Sequence, residues 1–137
     1  MLLWNSKDGG PESKVWVWGV EFKWLGSILL LKFEEGSREA YHTHAFNSVS
    51  WLLKGELHEF CLDGYPWGMA TYLTVYRPSL RPIMTYRDTL HQVQGAQRAS
   101  WVLTFRGPWV NKWSEWLPKP QRFVKLTHGR KVLDAVD

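Results

Sequence analysis

The sequence predicts an all-β barrel or sandwich in a single domain. Three observations support this. Short segments rich in β-branched and aromatic residues recur along the chain, with turn residues about every ten positions. No long segment keeps a helical apolar period. At 137 residues the chain has room for one domain and a sizeable core.

Residues 1–14 are polar and contain Gly and Pro, so they are expected as a loose N-terminal arm. Lys14–Trp18 is a strand by composition, with Gly19 as a bend or bulge. Phe22–Phe33 forms the next strand region, interrupted at Gly26-Ser27. Within it Ile28-Leu-Leu-Leu is apolar on both faces, which predicts a central strand covered on both sides. Glu34–Ser37 is a turn, Arg38–His44 a strand, and Ala45–Asn47 the next turn. Ser48–Lys54 is a strand, and Gly55 tightly connects it to Glu56–Leu62. Asp63-Gly-Tyr-Pro is a turn, Thr71–Tyr76 an alternating strand, and Arg77–Pro82 a break. Ile83–Tyr86 and Thr89–Gln94 are short strands around an Arg87-Asp88 turn; Ser100–Arg106 alternates clearly and ends at Gly107-Pro108. Trp109, Trp113 and Trp116 have helical spacing, read as a short turn plugging one barrel end, with an aromatic lid or oligomer contact as the functional alternative. Gln121–Thr127 adds an edge strand. The division is thus an arm (1–14), a barrel (15–127) and a tail (128–137).

Composition narrows the function. The single Cys61 excludes an internal disulfide and favours a reducing, cytoplasmic compartment. No apolar run approaches a membrane span, and Met-Leu-Leu-Trp-Asn lacks the basic start and cleavage site of a signal peptide. A net charge of +4 says little about anionic partners. The basic residues Lys119, Arg122, Lys125, Arg130 and Lys131 come without a nucleic-acid-binding signature and are read as a solvated face. Ten Trp suit barrel walls, pockets and interfaces.

The candidate chemistry lies in histidines. On a strand, His42 and His44 point the same way, which gives two ligands of a metal site if a third arrives from elsewhere. His91, far along the chain, is the candidate for that third residue. Neutral imidazoles suit Fe, Zn, Ni and Cu alike. The competing reading is a pair of ordinary core or solvated histidines. On the Ser100–Arg106 strand, Ser100, Val102, Thr104 and Arg106 share one face and Trp101, Leu103 and Phe105 the other; the inward face stays open. Arg106 and Arg38 are candidate anion clamps, with a rim salt bridge as the alternative for Arg106. Among Tyr41, Tyr72, Tyr76 and Tyr86, the one nearest His91 in sequence, Tyr86, is the first choice for a phenol in the site.

The segments around these histidines resemble the cupin superfamily. Gly36, His42-x-His44 and Gly55 match the spacing of the first cupin motif, with Ser48 where the family has Glu. Of the second motif only His91 remains, with Tyr86 and Asp88 at the Pro and Gly positions. The match covers residues 36–106. It implies a double-stranded β-helix, or jelly-roll barrel, and a homodimer. The missing Glu leaves a three-histidine set similar to the cysteine-dioxygenase branch, which implies one divalent metal, Fe(II) first, with Zn or Ni as alternatives. In that layout Ser48 could hold a water or ligand on the metal or simply leave room, and Glu59 would be a carboxylate accepting a ligand N–H, with His58 on the opposite face. Cys61 does not fall where that branch places its crosslinked Cys, near Val49, so thiol oxidation is not implied. The Trp101–Pro108 ending is similar to small cupin-like proteins of phages and bacteria, which lend no function.

Three functional readings follow. The first is a dioxygenase-like Fe(II) oxygenase acting on a small anionic molecule. The second is a non-catalytic barrel that binds a small ligand or, for a phage protein, a host protein. The third is a sugar isomerase or epimerase, which the missing Glu argues against. No membrane or nucleic-acid partner is expected.

Overall fold

In the computed structural model the chain is all-β, and among the described residues no helix is long and apolar enough to cross a membrane. The structure describes residues 1–9, 13–36, 41–63, 70–97, 99–117, 122–127 and 131–136. The strands are β1 (Leu2–Lys7), β2 (Val15–Phe22), β3 (Gly26–Glu34), β4 (Ser48–Lys54), β5 (Leu57–Asp63) and β6 (Ala70–Tyr76), then β7 (Ile83–Thr85), β8 (His91–Gly95), β9 (Ala99–Arg106), β10 (Trp113–Leu117), β11 (Arg122–Thr127) and β12 (Lys131–Val136).

One layer is a six-stranded antiparallel sheet in the order β1-β2-β3-β9-β4-β7. The other consists of two three-stranded sheets, β6-β5-β8 and β10-β11-β12. Among the described residues, the adjacent pair His42 and Thr43 joins these two. The backbone of His42 bridges His91 on β8 and Glu115 on β10. The His42 N–H donates to the His91 carbonyl at 2.9 Å, and the His91 N–H donates back at 3.1 Å. Beside it, the Thr43 N–H donates to the Ser114 carbonyl at 2.9 Å. The core draws on both layers: Val15, Val17, Leu29, Leu31 and Val102 from the large sheet meet Leu57 from β5, with Tyr76 and Val93 packed against them. Two sheets sharing one apolar interior form a jelly roll.

Several expectations need correction. The segment 1–14 is not a loose arm throughout: Leu2–Lys7 pairs with β2 from Leu2↔Val20 to Lys7↔Trp16. Leu3 packs on the core, and the Met1 amino group donates to the Glu21 carbonyl at 2.7 Å. Together they cover what would otherwise be an open edge of β2. β3 is central in its sheet, but only one of its faces is covered: Leu29 is 0% exposed and Ile28 55%. The outer face instead carries a cross-strand apolar row, Val20–Ile28–Phe105–Val49–Met84. The histidine pair is not on a regular strand: His42 is an isolated bridge, and the chain bends at Ala45-Phe46 straight after it. Trp113 and Trp116 belong to β10, not to a helical turn, because pairing with β11 satisfies backbone groups that a turn ahead of Pro118 would leave open. β11 is the middle strand of its sheet, flanked by β12 from the expected tail.

Gly55 makes the tight β4–β5 connection at φ +97°, and a Cβ there would overlap the side chain of Ser100. Ser100 is fully buried, and its hydroxyl accepts from the Glu56 N–H at 3.1 Å and donates to the Glu56 carbonyl at 3.0 Å. Gly55→Ala therefore combines backbone strain with a steric clash. It should cost about 2 kcal/mol or more, read as a lower urea midpoint at unchanged slope.

Candidate metal centre

The His42–His91 backbone pairing places two imidazoles side by side, and the extended step to His44 adds a third. The ring centroids form a near-equilateral triangle: 4.7 Å for His42–His44, 5.1 Å for His42–His91 and 4.9 Å for His44–His91. One ring nitrogen from each residue lies within 4.8 Å of the others. Three nitrogens bound at about 2.1 Å to one ion are at most about 3.6 Å from one another, so the set closes on a metal when each ring moves inward by about an ångström or less. His42 and His91 are buried and His44 is half-buried.

The donor set fits a metal on a further ground. His91 Nδ1 is 2.6 Å from Glu59 Oε2, and a carboxylate only accepts, so Nδ1 carries the proton. The nitrogen left for coordination is Nε2, which is buried and has no hydrogen-bond partner. A buried acceptor without a partner is costly, and a cation would satisfy it. The Glu59 carboxylate is itself held: Tyr76 donates to its other oxygen at 2.9 Å. Burial pushes the Glu59 carboxyl up, but the hydrogen bond and charge of His91, then the bonds from Tyr76 and Cys61, outweigh it and hold it below its ordinary value. Burial and then the Glu59 charge push the Cys61 thiol up to about 11, so it stays protonated and is no nucleophile. The same causes raise the Tyr76 phenol.

The three histidines open onto a cavity of about 330 Å³ between the layers. Its walls are largely apolar, with Val17, Leu31 and Val102 among them. Ser48 and Glu59 line it as well. Thr104 and Arg106 show that the Ser100–Arg106 face is the inward one. Ser50 donates to Thr104 at 2.7 Å. Arg106 is not available as an anion clamp. Both arms of its guanidinium bond Asp8, at 3.2 and 2.7 Å, with Glu21 at 3.9 Å and the Phe46 ring 4.6 Å away. Tyr86 is 55% exposed and outside the cavity. Tyr76 is the phenol that reaches the centre, because β6 pairs with β5 next to Glu59. His58 turns to the opposite face and meets Glu56 at 2.9 Å. Arg38 lies outside the described residues. Sequence reasoning missed Asp8, which had no signal inside a segment read as an arm. It also passed over Tyr76, whose signal was its place at the end of an alternating strand.

No family model matches the chain, and no curated protein matches its sequence. Solved structures do match. An oxalate oxidase in complex with glycolate superposes with a TM-score of 0.54 at 18% identity, over 78% of this chain and 58% of that one. A double-stranded β-helix protein from Klebsiella pneumoniae gives 0.55 at 11% identity, over 77% and 87%. An oxalate decarboxylase from Bacillus subtilis gives 0.54 at 10% identity, over 77% and 28%. The chain thus spans 58% of the length of that oxalate oxidase. At these identities the likeness carries the fold: this is a cupin-fold domain, a double-stranded β-helix. Its three-histidine group has the donor atoms and the spacing that could hold a metal ion.

Glu59 should matter through His91. Glu59→Gln is expected to weaken Co(II) binding about 10- to 100-fold, and Tyr76→Phe by less, in competition titrations against a chromophoric chelator. Unchanged affinity in Glu59→Gln would show that the carboxylate does not set the ligand.

Proposed function

We propose that this domain is a metal-dependent oxidoreductase in which His42, His44 and His91 hold one Fe(II) and a small molecule reacts with dioxygen. The observation that carries this reading is the buried Nε2 of His91, without a hydrogen-bond partner, in a three-nitrogen cluster at the wall of the cavity between the layers. Fe(II) bound there would supply redox chemistry and open coordination positions. The chain's own residues do the rest. Glu59 and Tyr76 fix the His91 ring and its tautomer. Neutral imidazoles leave the charge of the ion uncompensated, so an oxyanion of the substrate is drawn to the ion itself and not to Arg106, whose charge Asp8 already meets. Apolar walls from both layers would orient the carbon skeleton, and about 330 Å³ is at the small end for a ligand site. Ser48 stands at the cavity wall, in the position where the motif resemblance has an acidic residue.

A second reading, a barrel that binds without chemistry, draws on the exposed row Ile28, Phe105 and Met84, a surface suited to a partner.

Protein reconstituted anaerobically with Fe(II) should consume oxygen with at least one member of a panel of small hydroxy acids, keto acids and thiols, and His91→Ala should lose this uptake. Stoichiometric metal without uptake across the panel would favour the non-catalytic reading.

A further inference from the structure

The inner face of the large sheet is polar at one end and apolar at the other. Strand register makes the division. Ser27, Arg106, Ser48 and Thr85 lie side by side across β3, β9, β4 and β7. The next inward row is Leu29, Thr104, Ser50 and Ile83, and the one after it is Leu31, Val102 and Leu52. The inner cavity takes in both ends. Ser48, Ser50, Thr85 and Thr104 line it at one, and Val15, Leu31 and Phe33 at the other.

The fold treats these four hydroxyls in two ways. Ser50 donates to Thr104 at 2.7 Å, and Thr104 reaches the Val49 carbonyl at 3.5 Å. Among the described residues, the hydroxyls of Ser48 and Thr85 have no hydrogen-bond partner. Thr85 is nonetheless buried, at 8% exposed. Neither oxygen is sealed in the wall as that of Ser27 is, and both residues line the cavity. Ser48 and Thr85 face each other across the β4–β7 ladder. Residues so placed hold their Cβ atoms about 5 Å apart, so one ligand group can reach both hydroxyls.

A buried hydroxyl without a partner costs free energy, and a ligand in the cavity can supply the partner. The neighbouring charge is already met, since Arg106, next to Ser48 in the row, is bound by Asp8. Two hydroxyls in a neutral setting both donate and accept. We propose that Ser48 and Thr85 form a subsite for an uncharged hydrogen-bonding group of a ligand, a hydroxyl or a carbonyl, with the ligand's carbon skeleton toward the apolar end. That this ligand is the substrate of the metal site, a small acid carrying such a group besides its carboxylate, rests on the oxidoreductase reading above; the neutral subsite itself does not.

Two measurements on metal-free protein test the subsite. Thr85→Val removes a hydroxyl that the fold does not use, so the urea midpoint should hold or rise. A fall would give that hydroxyl a structural role and overturn the assignment. Titration with 1,2-pentanediol, a neutral probe, should give saturable amide NMR shifts at Ser48 and Thr85. The double variant Ser48→Ala/Thr85→Val should lose about tenfold in affinity for it. No saturable shifts, or equal affinity in the double variant, would overturn the subsite whether or not the histidines bind metal. Co(II)-loaded protein then tests the link, with 2-hydroxypentanoate and pentanoate titrated against the visible cobalt spectrum. Thr85→Val should lower the preference for the hydroxy acid about tenfold and leave the affinity for pentanoate unchanged, while Thr85→Ser should keep the preference. An unchanged preference in Thr85→Val would overturn the link to the metal site and leave the neutral subsite in place. Failure to take up cobalt would overturn the metal reading and the link together, and the diol titration would still decide the subsite.

Discussion

Two backbone hydrogen bonds between His42 and His91 hold the second layer of this molecule and its candidate site together. They are all that joins the two histidines as a bridge, and His42 uses its other edge to pair with Glu115 on β10. Through His42 and its neighbour Thr43, two three-stranded sheets become one continuous wall facing the large sheet. The same pairing sets the imidazoles of His42 and His91 against each other, so the backbone register also sets the ligand geometry. A one-residue slip would send one ring to the opposite face and break the cluster.

Around this seam, buried charge is compensated locally. Arg106 is matched by Asp8, which arrives next to a strand at the far edge of the large sheet. Glu59 is matched by His91 and Tyr76. Charges taken from water need such partners, and losing one member leaves the other stranded. The consequence is specific: the inner cavity offers little net charge of its own. Positive potential at the histidines would come from a bound ion.

Much of this was legible in the sequence, for identifiable reasons. Alternation in Ser100–Arg106 correctly divided that strand into two faces, because period 2 is geometric, although it could not say which face was inward. The spacing of His42 and His44 placed both rings on one side even though the segment is not a regular strand, since an extended step has the same alternation as a paired one. What failed depended on distant pairing. Leu2–Lys7 became β1 through β2, and no local signal in a polar, Gly-containing stretch announces a partner. Trp109, Trp113 and Trp116 carry a spacing that fits a helix, yet β11 captured Trp113 and Trp116. Tyr86 is near His91 in sequence, but Tyr76 is near its carboxylate in space, because strand order brings it there. The fate of Arg106 required knowing where Asp8 lands.

The most direct test of the central claim is anomalous scattering from crystals grown with Co(II). The account predicts one strong peak bounded by His42, His44 and His91, about 2.1 Å from one nitrogen of each, with His91 Nδ1 still on Glu59. Finding no peak there, with ordered water on His91 Nε2 instead, would contradict it.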